Sequence, residues 1–124
     1  MGKFVIKETA NGGLKFDLKA GNGEVIATSQ TYKSLKSCKN GIASVVRNDP
    51  IAPIEDQTVK DFETEELPKF EIFKDKAGEF RFRLKAANGE IIASGEGYTT
   101  RKACLNGIAS IGKNAPEAAV FEVE

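Results

Sequence analysis

Side chains able to carry covalent or acid–base chemistry are sparse in this chain. There is no histidine, which removes the commonest general base and the commonest transition-metal ligand. Two cysteines, Cys38 and Cys104, stand without a flanking thiol or an imidazole to activate them. Two are also too few for a disulfide framework. Glu24 and Glu90 close the runs Asn22-Gly23-Glu24 and Asn88-Gly89-Glu90, but neither acid has a partner that would make a catalytic pair. These runs are not phosphate loops. A phosphate loop hands its chain to a helix N-terminus, whereas these hand it to a strand. With no paired constellation in view, no enzymatic activity, metal site or cofactor is expected.

Positive charge is the stronger chemical signal. The net charge is zero, yet residues 3–50 hold eight Lys/Arg against four Asp/Glu, and residues 69–116 hold nine against five. The balance is restored by residues 51–68, with one against six, and by three acids in 117–124. Lys15, Lys19, Arg81, Arg83 and Lys85 alternate with apolar residues and should share one wet face of a sheet, with Lys7 nearby. Such a face is commonly no more than a solvated surface that keeps a sheet soluble. The sharper reading is a surface for phosphate groups of a polyanion or nucleic acid. Phe73 is the one obvious aromatic there, too little for a base-stacking platform. The acidic segment Glu55–Glu66 is expected to screen that face. Asp17 stands where the second half has Arg83, so the two halves of the face differ and the second should dominate.

The elements that position these residues come twice. Lys3-Phe4-Val5-Ile6 is echoed by Lys69-Phe70-Glu71-Ile72. Leu18-Lys19-Ala20-Gly21-Asn22-Gly23-Glu24 is echoed by Leu84-Lys85-Ala86-Ala87-Asn88-Gly89-Glu90, and Cys38-Lys39-Asn40-Gly41-Ile42-Ala43-Ser44 by Cys104-Leu105-Asn106-Gly107-Ile108-Ala109-Ser110. The offset is 66 throughout, without a gap, and roughly half of the aligned positions are identical. Duplication and fusion give repeat 1 over residues 1–58, an acidic linker over 59–68 and repeat 2 over 69–124. One such unit alone would have a marginal core, so both copies should share one, about an approximate two-fold axis. A monomer is expected, because the fusion mimics a dimer.

Within each copy, Phe4 and Ile6 open a first strand. Leu14, Phe16 and Leu18, matched by Phe80, Phe82 and Leu84, give a second with strict alternation. Asn22-Gly23 and Asn88-Gly89 predict tight hairpins with positive φ at both central residues. A third strand follows at Glu24–Thr28 and Glu90–Ser94. A helix comes next, capped by Ser34 in the first copy and Thr99 in the second. Its apolar stripes are Leu35, Cys38, Ile42 and Val45, and Cys104, Ile108 and Ile111, and it ends at Asn48-Asp49-Pro50 and Asn114-Ala115-Pro116. Short last strands are expected at Pro53–Thr58 and Ala119–Val123. The fold class is therefore α+β, two tandem β-β-β-α-β repeats in a two-layer domain, an antiparallel sheet with helices on one face.

The run Gly78-Glu79-Phe80-Arg81-Phe82-Arg83-Leu84-Lys85-Ala86-Ala87-Asn88-Gly89-Glu90, with the twice-used Asn-Gly-Ile-Ala-Ser, resembles the YegP-like family of small, mostly bacterial proteins of unknown function. The resemblance covers both repeats and is closer in the second. It implies three strands, a helix and a last strand per copy, with the last strands exchanged between copies, and it brings no catalytic residues. The linker Val59–Pro68 is longer than that pattern expects.

The repeat signature is Asn22, Gly23, Asn40, Gly41, Asn88, Gly89, Asn106 and Gly107. Gly41 and Gly107 lie inside helices, where glycine costs roughly 1 kcal/mol against alanine. Close packing of helix on helix or helix on sheet is the expected reason, and an approaching ligand the alternative. Asn40 and Asn106 are expected to bond a neighbouring loop or strand end, with a ligand contact as the other possibility. Cys38 and Cys104 should pack as small hydrophobes, a disulfide across the pseudo-axis being disfavoured in the cytosol. Tyr32 and Tyr98 should pack over the helix start with the hydroxyl near the surface.

No apolar run is long enough to span a bilayer. The run Met1-Gly2-Lys3-Phe4-Val5-Ile6-Lys7 lacks the longer apolar region and cleavage site of a signal peptide, and Ile6 occupies the position where a myristoylation signal needs Ser or Thr, so neither signal is expected. A cytoplasmic protein without a membrane partner is expected. Its function reads as a small non-enzymatic interaction or scaffold module with an unknown protein partner, the alternative being nucleic-acid or polyanion binding through the basic face.

Overall fold

The computed structural model describes residues 2–122. In chain order the elements are β1 (Lys3–Glu8), β2 (Leu14–Lys19), β3 (Val25–Thr28), α1 (Leu35–Asn48), a 3-10 turn (Asp49–Ile51), β4 (Ile54–Asp56), β5 (Lys69–Lys74), β6 (Phe80–Lys85), β7 (Ile91–Ser94), α2 (Arg101–Asn114) and β8 (Ala119–Glu122). All eight strands join in one sheet, ordered β4-β5-β6-β7-β3-β2-β1-β8. The middle of the sheet is the β3–β7 pair, where Thr28 sits opposite Ser94, its own counterpart in the repeat. The pseudo-two-fold axis passes there.

The last strands are exchanged. β4 of repeat 1 pairs with β5 of repeat 2 (Glu55 opposite Glu71), and β8 of repeat 2 pairs with β1 of repeat 1 (Val5 opposite Phe121). Both pairings are parallel, so the sheet is mixed, not antiparallel throughout. Each edge strand arrives through a helix, and the chain is not forced to reverse as it is in a hairpin. β4 spans Ile54–Asp56, shorter than the expected Pro53–Thr58, and β8 spans Ala119–Glu122 as far as the described residues go; the expected end, Val123, lies outside them.

The four hairpins share one turn. Ala20 C=O accepts from Gly23 N–H, Ala20 N–H donates to Glu24 C=O, and Gly23 has φ 89°. Thr9–Gly13, Asp75–Glu79 and Ala86–Glu90 repeat the pattern, with positive φ at Gly12, Gly78 and Gly89. Asn22 and Asn88 do not share the positive φ, so these are not the turns expected from Asn-Gly. The extra residue forms a bulge whose glycine takes the left-handed conformation. The asparagines hold the turn instead: Asn22 Oδ1 accepts from Glu24 N–H at 3.0 Å, and Asn88 Oδ1 from Glu90 N–H at 3.0 Å.

One core lies between the sheet and the two helices. Phe4, Phe16, Phe70 and Phe82 are its largest buried residues, joined by Ile6, Leu18, Ile72 and Leu84 from the same alternating positions. Phe4 meets Phe16 edge to face at 5.6 Å, and Phe70 meets Phe82 at 6.1 Å. The helices add Cys38, Ile42 and Val45, and Cys104, Ile108 and Ile111, all buried. Leu35, the first residue of α1, is exposed although its spacing puts it on the same face. The caps are Ser34, which accepts from Ser37 N–H, and Thr100, one residue past the expected Thr99, which accepts from Ala103 N–H. Each helix packs across both repeats: α1 on β2 and β7, α2 on β6 and β3.

Candidate functional site

The outer face of the sheet carries the basic residues, and most of them are neutralised. Arg81 Nε lies 2.6 Å from Asp75 Oδ2. Arg83 Nε lies 2.6 Å, and Lys85 Nζ 3.2 Å, from Glu71 Oε1. Lys7 pairs with the buried Asp17 at 2.6 Å. Among the described residues, Lys15 and Lys19 form no ion pair. One face of the Phe73 ring is covered by the Arg83 guanidinium at 4.4 Å. The second half, expected to dominate a polyanion surface, is the half whose charge is satisfied internally.

Glu55 of β4, with the Glu65 backbone N–H from the linker, closes this network. Lys69, itself buried, holds Glu55 Oε1 at 2.7 Å and Glu71 Oε2 at 3.3 Å. Gln57 donates to Glu55 Oε2 at 2.6 Å, and the Glu65 N–H donates to Glu55 Oε1 at 2.8 Å. Burial alone would push the Glu55 carboxyl up. The hydrogen bonds from Gln57, Lys69 and the Glu65 amide outweigh it and hold that carboxyl at about 2. In repeat 1 the matching positions are Val5, Asp17 and, on β8, Phe121, so the network has no twin.

Two grooves on the helix side are, by contrast, a matched pair. Each forms between the helix of one repeat and the second hairpin of the other. The first is about 370 Å³ and lies between α1 and the β6–β7 hairpin. The second is about 280 Å³ and lies between α2 and the β2–β3 hairpin. Every residue lining the first has its counterpart, 66 positions away, lining the second. Asn40 with Glu90 and Asn88 thus answers to Asn106 with Glu24 and Asn22. The lining pairs differ at two places, Gln30/Glu96 and Ser37/Ala103.

Tyr32 and Tyr98 form the floors. Their rings stack on Phe16 and Phe82, with centroids 6.3 and 6.4 Å apart. Each phenol reaches past the helix start to the middle of the helix and rests on Gly41 or Gly107, where a Cβ would collide with the hydroxyl. The close packing expected at these glycines is therefore present. The partner is a tyrosine, which sequence spacing did not identify. Burial raises both phenols above their ordinary value; Cys38 and then Glu90 add to it for Tyr32 against a hydrogen bond with Gln30, and Cys104, Glu96 and Glu24 add to it for Tyr98. Both are neutral at physiological pH and able to donate or accept.

Several repeated groove residues have internal duties. Ser44 accepts from Asn48 Nδ2 at 2.9 Å, and Ser110 from Asn114 Nδ2 at 3.1 Å. Asn22 and Asn88 build their turns, and Glu24 and Glu90 each accept one bond from them, at 2.8 and 3.0 Å. Asn40 and Asn106 are different. Among the described residues neither carboxamide makes a hydrogen bond, although a bond to a loop or strand end was expected. Both are exposed, mid-helix, poor helix formers, and identical in the two copies. Polar side chains exposed in both copies have often diverged, as at Glu8/Lys74, Gln30/Glu96 and Lys33/Thr99. Those unchanged are Asn22/Asn88, Glu24/Glu90, Asn40/Asn106 and Lys36/Lys102, and the first three pairs line the grooves.

The thiols are sequestered in the core. Cys38 and Cys104 are buried and free, burial raises the Cys38 thiol, and burial with the Asp56 charge pushes Cys104 up to about 11. Among the described residues no three His, Cys, Asp or Glu side chains converge to hold a metal, and no helix is long and apolar enough to cross a membrane.

Comparison with known proteins places the chain. The family model DUF1508, a domain of unknown function, matches it twice, at residues 10–56 and 75–122. A UPF0339 protein of Treponema denticola is 66% identical over 55 residues, which are 44% of this chain and 95% of that protein. UPF0339 protein YegP of Escherichia coli is 38% identical over 119 residues, 96% of this chain and 94% of that one. The solution NMR structure of yegP from E. coli, a protein of unknown function, superposes with a TM-score of 0.79 at 36% identity, covering 98% of this chain and 91% of that chain.

Proposed function

This chain belongs to the DUF1508 family, a domain of unknown function, and on that premise we propose that it is a small non-enzymatic binding module that recognises a protein partner through its two composite grooves. The observation that carries the reading is the pair Asn40 and Asn106. Each is an exposed carboxamide without an internal partner, kept in both repeats at a position where helix propensity disfavours it. Asparagine at such a site costs helix stability and returns no bond among the described residues, which supports a use outside the fold. The buried, high-pKa thiols and the absence of a histidine argue against nucleophilic catalysis.

The test is affinity capture from native bacterial lysate, with and without nuclease, comparing the unaltered protein with Asn40→Ala/Asn106→Ala and with Arg81→Ala/Arg83→Ala. Groove recognition predicts a retained protein that survives nuclease and is lost with the asparagine pair. Retention that vanishes on nuclease treatment and with the arginine pair would replace this reading with polyanion binding on the outer face.

A further inference from the structure

The chemistry of the groove walls selects what can enter. Asn40 offers a free carboxamide, Glu90 keeps one carboxylate oxygen beyond the bond from Asn88, and Tyr32 adds a neutral phenol. The second groove repeats this set as Asn106, Glu24 and Tyr98, and adds Glu96 where the first has Gln30. Among the described residues no Lys or Arg lines either groove. The ionised groups are carboxylates alone, beside oxygen acceptors and an aromatic edge. That surface repels phosphates and carboxylates and suits a group with positive charge and several N–H donors.

Resting on the groove reading above, we infer that each groove is a binding site for an organic cation, an alkylammonium or guanidinium group supplied by a polyamine or by a Lys or Arg side chain of a peptide. The cation sits between the free carboxamide of one repeat and the hairpin carboxylate of the other. Neither repeat holds a complete site alone, and the fused pair displays two. The grooves are graded, because Glu96 gives the second one more negative charge than Gln30 gives the first. The second binds the cation more tightly and with steeper salt dependence.

The experiment is an NMR titration of the full chain that follows the side-chain amides of Asn22, Asn40, Asn88 and Asn106. The probes are spermidine, a capped hexapeptide containing Lys and Arg, and a capped acidic hexapeptide as control. Expected are saturable shifts with the cationic probes, Asn106 responding before Asn40. Glu24→Gln/Glu90→Gln should weaken binding at least about tenfold, because it removes charge from the acceptors while a glutamine still accepts the turn bond. Glu96→Gln should bring the second groove within about threefold of the first. Tighter binding of spermidine or of the basic peptide identifies the source of the cation. If only the acidic peptide shifts these amides, the grooves still bind but the cation inference falls. If no probe moves them at millimolar concentration, or the glutamine variants bind as before, the inference falls as well; the capture experiment then judges the groove reading independently.

Discussion

Replacing Gly41 by alanine sets two known effects against each other. Alanine in a helix interior should stabilise by about 1 kcal/mol. The new Cβ, however, would collide with the Tyr32 hydroxyl and lie 2.7 Å from Cζ and 3.1 Å from Cε2. Carbon atoms in contact sit about 3.5–4.0 Å apart, so the ring must retreat by roughly an ångström. It is not free to do so, because it stacks on Phe16 in the core. Overpacking of this kind costs about 1–3 kcal/mol. The net expectation is a loss of about 1 kcal/mol, or about 3–5 °C in Tm for a chain of this size. Gly107→Ala meets Tyr98 Cζ at 2.9 Å and Phe82 Cε2 at 3.2 Å and should behave alike. Urea and thermal unfolding of Gly41→Ala, Tyr32→Phe and the double variant give the coupling directly. Removing the hydroxyl should recover at least about 0.5 kcal/mol of the alanine penalty. If Gly41→Ala stabilises by the full helix increment, and does so equally with phenylalanine at 32, the tyrosine does not explain the glycine.

Glu55→Gln should destabilise by about 1–3 kcal/mol at pH 7, because it discharges a carboxylate held by Lys69, Gln57 and the Glu65 amide. The folded-state pKa, about 2, lies below the ordinary 4.5, so this stability is full above about pH 5 and is lost as pH falls toward 2. Equilibrium unfolding of both proteins should converge near pH 2 and diverge above pH 5; a constant gap across that range would refute the linkage. Cys38 and Cys104 should resist a thiol reagent at pH 8 at least about a hundredfold more than a free cysteine, since little thiolate forms and both are buried. Prompt stoichiometric labelling of the folded protein would contradict this. Repeat 2 alone, residues 67–124, cannot occupy its own β5 edge with β4 and should pair with a second copy by exchanging β8. Light scattering should give a dimer, and a folded monomer would show that strand exchange is dispensable.

Much of the fold was legible because local chemistry specified it. Phe16/Phe82 and Leu18/Leu84 fixed the buried face of the second strand through period two alone, and the constant offset of 66 fixed the repeat. Of the last strands, alternation is weak over Pro53–Thr58 and fair over Ala119–Val123, yet β8 is exposed along its length and β4 buries Glu55. Hairpin geometry was misjudged at Asn22-Gly23, because a three-residue bulged turn and a two-residue turn use the same dipeptide. The fate of Arg81, Arg83 and Lys85 depended on cross-strand register, which sets Glu71 opposite Arg83. That register follows from the bulged turn at Asp75–Glu79, whose type was not read from Ala77-Gly78. Asn40 was visible as an odd helix residue, but its groove was not, because the facing wall comes from Ala86, Asn88 and Glu90 in the other repeat. The same distance in sequence hid Gly41's true neighbour, for Tyr32 reaches it only because its ring is anchored on Phe16.

Binding stoichiometry tests the paired-groove account most directly. Calorimetric titration with the captured partner's binding segment should give two sites per chain in the unaltered protein, one in Asn106→Ala, and none in Asn40→Ala/Asn106→Ala, with unfolding curves confirming that all three are folded. A stoichiometry that stays the same across the three proteins would contradict it.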